Sequence, residues 1–126
     1  MKLTRSSMYA VKALLELGRA SPGEKVTSHQ LAKTGRMPER FLLQILRNLV
    51  TSGLLKSTRG VYGGYRLGRR IQQISILDVV EAVDGPLRFE SATDTRSNET
   101  MRELVGEIGT RIRRQLDELK LSKFLA

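Results

Sequence analysis

The sequence contains no cysteine and only one histidine, His29, among its 126 residues. Without cysteine the chain cannot form disulfides, cysteine-based zinc sites, thiolate-bound iron–sulfur clusters or a cysteine nucleophile. The lone histidine lies in a predicted helix start, so we expect a surface residue there and not a ligand. We therefore expect no metal and no cofactor. We also expect that the protein is not an enzyme, because the sequence contains no nucleophile–base pair and no phosphate-binding glycine loop leading into a helix.

Long hydrophobic runs are missing as well. Arg5, Lys12 and Glu16 interrupt the apolar stretches near the N-terminus, so a signal peptide is not expected. No run approaches the 18 apolar residues that indicate a transmembrane helix. These absences predict a protein of the bacterial cytoplasm that has no membrane partner.

Acidic residues are scarce where basic residues concentrate. The chain has 22 Lys and Arg against 13 Asp and Glu, which gives a net charge of +9. Residues 36–70 contain eight basic residues and one acid, a net charge of +7, whereas Leu87–Ala126 contains eight bases and seven acids. A charge localised in this way favours a polyanionic partner, most often nucleic acid.

Two helices are predicted before the basic segment. Residues 4–19 have apolar positions at helical spacing, and a turn follows them. Thr27 and Gln30 have the spacing of a capping box, which begins a short helix. Gly35 suits the left-handed C′ position that would end this helix.

A third helix is predicted over residues 39–52, with Pro38 at or beside its start and Gly53 as its stop. Its apolar face contains Phe41, Leu42, Ile45, Leu46, Leu49 and Val50. Its opposite face contains Arg40, Leu43, Gln44, Arg47, Asn48 and Thr51. Two short helices with a tight turn between them, the second with a basic polar face, form a helix-turn-helix.

A β-hairpin is predicted directly after this motif. Residues 54–58 alternate like a half-buried strand, residues 59–64 form a glycine-rich loop, and residues 65–67 return as the second strand. Gly63 and Gly64 permit a close backbone approach. A hairpin placed after a recognition helix predicts a winged helix, in which Tyr65 is expected to anchor the hairpin in the core.

The C-terminal half is predicted to contain two more helices. Ser75 begins one that Gly85 and Pro86 end, residues 87–97 form a loop, and a long helix runs over residues 98–120. The long helix carries an apolar stripe that we expect to be a dimerisation seam. The stripe contains Met101, Val105, Ile108, Ile112, Leu116 and Leu119.

The predicted fold class is mainly α with a small β-hairpin. We expect a winged helix-turn-helix domain over residues 1–86, a loop over residues 87–97, and a dimerisation helix over residues 98–126.

Several segments of the chain resemble one family of regulators. The N-terminal MKLT…YAVKALLELG, the helix FLLQILRNL, the hairpin GLLKSTRGVYGGYRLGR and the helix ISILDVVEAVDGPL are similar to the Rrf-two type of winged-helix transcription regulators. The resemblance covers residues 1–87 well and the C-terminal helix in character only. It implies a homodimer in which the long C-terminal helices of the two subunits cross. It also implies binding to a palindromic operator, with the recognition helix in the major groove and the wing in the minor groove.

The chain departs from this family at two places. Many members bind an iron–sulfur cluster through three cysteines between the last two helices, and some add a carboxylate where this chain has Met8. With no cysteine, the chain is expected to act without the cluster, so any small-molecule effector is unknown. Relatives often have Glu where this chain has Leu43, which could contact a thymine methyl group or avoid the bases.

The predicted DNA-binding residues lie in the helix-turn-helix and the wing. Gln44 can bond adenine, Arg40 and Arg47 can bond guanine or hold phosphates, and Arg59 is expected to enter a narrow minor groove. The full set contains Ser28, Pro38, Glu39, Arg40, Leu43, Gln44, Arg47, Lys56, Arg59, Gly60, Tyr62, Gly63, Gly64 and Arg66. The predicted function is a sequence-specific regulator of transcription, a repressor, that binds double-stranded DNA. Two alternatives stay open: an RNA-binding module, and a winged helix that binds protein and has lost DNA binding.

Overall fold

Local sequence signals account for most element boundaries in the computed structural model, which describes residues 2–89 and 98–125. The helices are α1 Arg5–Arg19, α2 Ser28–Gly35, α3 Glu39–Thr51, α4 Ile76–Asp84 and α5 Glu99–Glu118. The strands are β1 Leu55–Thr58 and β2 Gly64–Leu67, and short 3-10 helices lie at Ile71–Gln73 and Leu121–Phe124. The mainly α fold with one hairpin is therefore confirmed. Within the described ranges, no helix is long and apolar enough to cross a membrane.

Capping interactions set the ends of the helices around the motif. The Thr27 side chain accepts from the Gln30 backbone N–H, and the Gln30 side chain accepts from the Thr27 backbone N–H. At the end of α3, Gly53 has a φ of 83° and donates to the Val50 carbonyl, while Leu54 donates to the Leu49 carbonyl. These two bonds form a Schellman motif, which needs a left-handed C′ residue. The predicted capping box and the predicted stop at Gly53 are both confirmed.

The end of α2 differs from the prediction. Arg36, and not Gly35, takes the left-handed conformation, with φ 54° and ψ 52°. Gly35 remains in the helix because the side chain of the buried Met37 lies against it, in space that a Cβ would fill. Met37 also donates its N–H to the Ala32 carbonyl, which closes the turn between α2 and α3. Packing of Met37 therefore decides where the helix ends.

The core forms between α1, α3, α4 and the base of the hairpin. Four residues of α3 are buried in it: Leu42, Ile45, Leu46 and Leu49. The assignment of Phe41 to this apolar face is wrong, since its side chain is 41% exposed. Phe41 instead contacts Tyr9 of α1 edge-on, with the ring centroids 5.7 Å apart. In α4, Val79 is fully buried.

The hairpin is joined to the helix-turn-helix through its second strand. β1 and β2 pair antiparallel, from Leu55 opposite Leu67 to Thr58 opposite Gly64. Val26, just before α2, exchanges two backbone hydrogen bonds with Tyr65, at 3.0 and 2.8 Å between N and O. Tyr65 packs against the core, as predicted. These contacts hold the wing in a defined position beside α2 and α3.

The C-terminal segment returns to the core after α5. The helix ends at Glu118, two residues before the predicted end, because the chain then bridges to the start of α4. Ile76 donates to the Leu119 carbonyl and Leu121 donates to the Ile74 carbonyl, both at 2.9 Å. Leu121 is fully buried. Residues 119–125, which the sequence places with the dimerisation helix, thus pack against the winged-helix core.

An ion pair joins α5 to α4. The Arg113 guanidinium donates to the Glu81 carboxylate at 2.8 Å and to the Leu87 carbonyl at 3.1 Å. Leu87 in turn donates its N–H to Glu81 at 2.9 Å. The hydrogen bond from Arg113 is the main reason that the pKa of Glu81 lies below its usual value, and the same bond raises the pKa of Arg113.

The connection between α4 and α5 falls largely outside the described residues. The predicted loop covers residues 87–97, of which residues 90–97 are not described. Gly109 of α5 is buried against the ring of Phe89, which explains the absence of a side chain at that position. Gly106 faces open space among the described residues.

Candidate nucleic-acid interface

The polar side of α3 is presented to solvent. Arg40, Leu43, Gln44 and Arg47 are exposed, whereas the opposite side of the helix is buried. The Arg47 guanidinium donates to the side-chain oxygen Oε1 of Gln44 at 3.3 Å. The Gln44 side-chain amide donates to Oδ1 of Asn48 at 3.4 Å. These bonds are long and lie at an exposed surface, so base edges or phosphates could replace them at little cost. The guanidinium of Arg47 and the amide of Gln44 are therefore available to form hydrogen bonds with a nucleic acid.

The start of α2 lies beside the start of α3. The Ser28 hydroxyl donates to Glu39 at 3.3 Å, and the Nδ1 atom of His29 lies 3.5 Å from the other oxygen of that carboxylate. Glu39 is in the first turn of α3, where the helix dipole stabilises a negatively charged side chain. Pro38 is exposed at the N-cap. The structure thus brings three predicted residues together, with the Ser28 hydroxyl engaged by Glu39.

The wing carries like charges directly opposite each other. Lys56 of β1 and Arg66 of β2 are cross-strand partners, and both are exposed. Like charges in this arrangement destabilise a hairpin. Arg59 follows β1 and is exposed at the start of the loop. A hairpin that tolerates such repulsion is typical of a surface that binds an anion.

The wing glycines serve the hairpin itself. A Cβ at Gly63 would overlap the Thr58 carbonyl, and one at Gly64 would lie 2.9 Å from the Val26 carbonyl oxygen. Gly64 has a φ of 150° and Gly60 a φ of 106°. The close approach expected at Gly63 and Gly64 is therefore to the chain's own backbone. Among the described residues, only Gly60 of the three has open space beside its Cα.

A cleft of about 560 Å³ separates α3 from the wing. Leu43, Arg47 and Val50 form its helix side, and the loop from Ser57 to Gly64 forms most of its hairpin side. Thr27 and Ser28 reach it from the start of α2. Two arginines and several hydroxyl residues therefore border one groove, which fits a sugar–phosphate backbone passing between the helix and the wing.

The cleft includes residues that lie outside the predicted DNA-binding set. Thr27, Val50, Ser57, Thr58 and Val61 all border it. The two hydroxyl residues directly before Arg59 were the available signal, since such side chains commonly bond phosphates. Val61 gave no polar signal at all.

No acidic residue lies between Glu39 and Asp78 in the sequence. This interval contains most of α3, the whole wing and the first 3-10 helix. Its basic side chains are Arg40, Arg47, Lys56, Arg59, Arg66, Arg69 and Arg70. Among the described residues, Arg69 pairs with Asp78 at 3.5 Å, and the other six form no ion pair with a carboxylate. The surface is therefore electrostatically positive.

The apolar stripe of α5 divides into two parts. Leu116 and Leu119 pack against the core of their own chain. Ile108 is 44% exposed, and the neighbouring Leu104, which the predicted stripe did not include, is 48% exposed. Met101, Val105 and Ile112 are half-buried. The part available to a second subunit is thus the N-terminal two-thirds of the helix.

The iron–sulfur cluster implied by the resemblance does not fit this chain. The sequence has no thiolate donor, and within residues 2–89 and 98–125 no three His, Asp or Glu side chains are grouped to hold a metal ion. Met8 is exposed on α1 and supplies no carboxylate. Cluster-dependent chemistry therefore has no ligand set here.

Solved structures of regulators share this fold. A Listeria innocua protein described as a transcriptional regulator matches with a TM-score of 0.85 and 27% identity, over 99% of this chain and 86% of that one. CymR of Bacillus subtilis, described as a global cysteine regulator, matches with a TM-score of 0.79 and 26% identity, over 99% and 96% of the two chains. IscR of T. potens matches with a TM-score of 0.77 and 26% identity, over 99% and 86%.

Curated relatives match over the N-terminal part. Protein MT1325 of Mycobacterium tuberculosis is described as an HTH-type transcriptional regulator. It is 42% identical over 87 residues, which are 69% of this chain and 54% of that protein. The CymR sequence of Bacillus subtilis is 35% identical over 88 residues, 69% of this chain and 63% of that protein. The matched part spans between half and two-thirds of these relatives.

A family model covers nearly the whole chain. The Rrf2 model, described as an iron-dependent transcriptional regulator, matches residues 3–126. That description includes iron dependence, but this chain has no cysteine that could bind an iron–sulfur cluster. The relatives and structures cited here are regulators and not enzymes, in agreement with the prediction. The chain belongs to the Rrf2 family of transcriptional regulators.

Proposed function

We propose that this protein is a homodimeric repressor that binds a palindromic operator in double-stranded DNA and acts without an iron–sulfur cluster. In this proposal α3 enters the major groove and the wing enters the adjacent minor groove. The protein acts in the bacterial cytoplasm, where the operator DNA is. Its effector, if it is a small molecule, has to be recognised without thiolates.

One observation carries the proposal. The cleft between α3 and the wing is bordered by Arg47 and Arg59, and apart from Thr27 and Ser28 its lining residues lie in a stretch of 38 residues without an acid. An exposed α-helix fits the major groove, and a projecting basic loop fits the minor groove beside it. The strand of DNA between the two grooves would then lie in the cleft.

The residues divide by the contact that each can make. Gln44 and Arg47 are candidates for base edges because they are exposed along one side of α3. Lys56, Arg66 and the hydroxyls of Ser57 and Thr58 are candidates for phosphates. Glu39 holds Ser28, so it places that hydroxyl at the edge of the cleft.

Dimerisation is supported by the exposed apolar residues of α5. Leu104 and Ile108 lie one turn apart on a 20-residue helix whose C-terminal end is anchored in the core. A second copy that covers this face would make an isologous interface, which places two recognition helices about a two-fold axis. A repressor needs only these two surfaces, one for DNA and one for its partner subunit, which is why we favour repression.

The direct test is selection of bound duplexes from a random DNA pool with the purified protein and no added metal or cluster. We expect enrichment of an inverted repeat whose half-sites are about 10 base pairs apart or a multiple of that spacing. Recovery of random sequence, or displacement of the selected duplex by an equal amount of structured RNA, would overturn the proposal. A reporter gene that carries the selected operator in its promoter should be expressed less when the protein is present.

A further inference from the structure

The tip of the wing exposes two large apolar side chains. Val61 is 94% exposed and Tyr62 is 89% exposed, which are the highest values among the exposed large apolar residues of the described chain. Neither belongs to the core cluster or to the residues packed against it. Burying such side chains against a partner is favourable, so their full exposure points to a contact outside this chain.

The local sequence also conflicts with the turn that it forms. Gly63 donates its N–H to the Gly60 carbonyl at 2.9 Å, so Val61 and Tyr62 are the two central residues of a tight turn. Turns of this kind favour Gly, Pro, Asn, Asp and Ser at these positions. A β-branched and an aromatic residue there gain nothing for the hairpin, and such conflicts with local rules concentrate at functional sites.

The turn is held firmly in place below its tip. A side chain at Gly63 would overlap the Thr58 carbonyl, which shows how closely the loop closes on the end of β1. The base of the wing is fixed by the two hydrogen bonds between Val26 and Tyr65. The two apolar side chains are therefore presented at the end of a short projection whose backbone is anchored before binding.

The charges around the tip select the partner. Arg59 lies two residues before Val61, and Lys56 and Arg66 face each other across the strands. With no acid between Glu39 and Asp78, the charged residues that neighbour the tip in the sequence are all positive. An apolar wedge ringed by cations fits the minor groove of DNA, where such wedges are inserted between base steps.

We propose that Val61 and Tyr62 form an apolar wedge that enters the minor groove and partly unstacks one base step at each wing. This inference rests on the proposed function. It adds that the wing bends the operator toward the major groove and does not only place a cation in the groove. The operator sequence under the wing would then be selected for a flexible pyrimidine–purine step.

The experiment uses the selected operator with 2-aminopurine placed singly at each adenine under the wing. The fluorescence of this base rises when it is unstacked, and the wild-type protein should cause such a rise at one step in each half-site. The variant Val61→Ser/Tyr62→Ser keeps every charge and uses residues suited to a turn. We expect it to bind about a hundredfold more weakly, the loss typical of one base–aromatic contact in each half-site, and to cause no rise. Its slope of log K against log[salt] should stay at the wild-type value.

Two controls test whether the effect comes from the apolar side chains. Tyr62→Phe should keep both the affinity and the fluorescence rise, since a wedge does not need the hydroxyl. The melting temperature of each variant should equal that of the wild type, because neither side chain packs on the core.

Wild-type affinity and a full rise in the double variant would overturn the wedge. A Tyr62→Phe variant as weak as the double variant would also overturn it, in favour of a hydroxyl–phosphate bond. Loss of self-association in the double variant, with DNA contact retained, would assign the tip to a protein partner. If the wild type itself binds no duplex, the proposed function fails, a result that is distinct from all of these.

Discussion

Single side chains carry the proposed readout of DNA, and their settings are unequal. Arg47 and Gln44 are bonded to each other on α3, whereas Arg59 lies exposed at the start of the wing loop. Leu43, 40% exposed at the edge of the cleft, has no polar atom that could form a hydrogen bond with a base. We expect Arg59 to contribute through the enhanced negative potential of a narrow minor groove, and Leu43 through the thymine methyl group.

Replacing Arg59 should weaken operator binding more than replacing an arginine far from the wing. We expect Arg59→Ala to raise Kd by about 10-fold or more and to reduce the salt slope by about 2, since one cation leaves the interface in each half of the dimer. Arg114→Ala removes an exposed arginine of α5 and serves as the matched control. Titration of labelled operator by fluorescence anisotropy at several salt concentrations measures both quantities. Equal effects of the two substitutions would contradict the assignment of the wing.

Among the elements, α5 has different surroundings at its two ends. Its C-terminal turns are fixed to the domain by the Glu81–Arg113 ion pair and by Leu116 and Leu119. Its N-terminal turns expose apolar side chains. A helix anchored at one end and apolar at the other is suited to join two subunits while keeping each DNA-binding surface in a defined orientation.

An acidic residue in the exposed part of α5 should separate the subunits. Ile108→Asp buries a charge in the proposed seam, so we expect a monomer at micromolar concentration and a large loss of operator affinity. Thr110→Asp places the same charge on the opposite side of the helix and should leave the dimer intact. Sedimentation velocity distinguishes the two states. A stable dimer of Ile108→Asp would place the seam elsewhere.

The ion pair between α4 and α5 gives stability a defined dependence on pH. The pKa of Glu81 is lowered in the folded state by Arg113, so its contribution is present above the unfolded value of about 4.5 and is lost as pH falls through the lower folded value. Arg113→Met should therefore lower Tm at pH 7 by an amount on the order of a few degrees and should lower it less near pH 3. Arg114→Met, without that partner, is the control. Thermal melts at the two pH values measure the difference, and an equal loss at both would contradict the assignment.

For the whole molecule, the distribution of charge governs association. Residues 36–70 carry +7 of the net +9, and the C-terminal region is nearly neutral. A dimer would present this charge twice, once on each half of a palindromic site. Binding should therefore release many counterions and should depend steeply on salt.

The salt dependence of operator binding has an expected size. If each subunit neutralises about 6 phosphates, log K should fall against log[salt] with a slope of about −5 per half-site. A single half-site duplex bound by the dimerisation-defective Ile108→Asp protein should show this value, and the full operator bound by the dimer should show about twice as much. A slope near zero on duplex DNA would contradict nucleic-acid binding altogether.

The sequence by itself determined the order of elements and the character of the surface. Capping boxes at Thr27 and Ser75, the stop at Gly53 and the helical spacing of apolar residues are local signals, so the helices and the hairpin could be predicted within a residue or two. The concentration of arginine and the lack of acids are visible without coordinates, because charge does not depend on the fold. The candidate DNA surface follows from these two together.

Only the tertiary structure decided which side chains of different elements contact each other. Arg36 takes the left-handed position because Met37 needs the space beside Gly35, and Leu121 ends a segment that pairs with the start of α4. The cleft joins Thr27, Val50 and the wing, which are distant in sequence, and the exposure of Val61 and Tyr62 results from the closure of their turn. These features depend on contacts between residues far apart in the chain, and a periodic pattern along one segment contains no information about which partner another segment will supply.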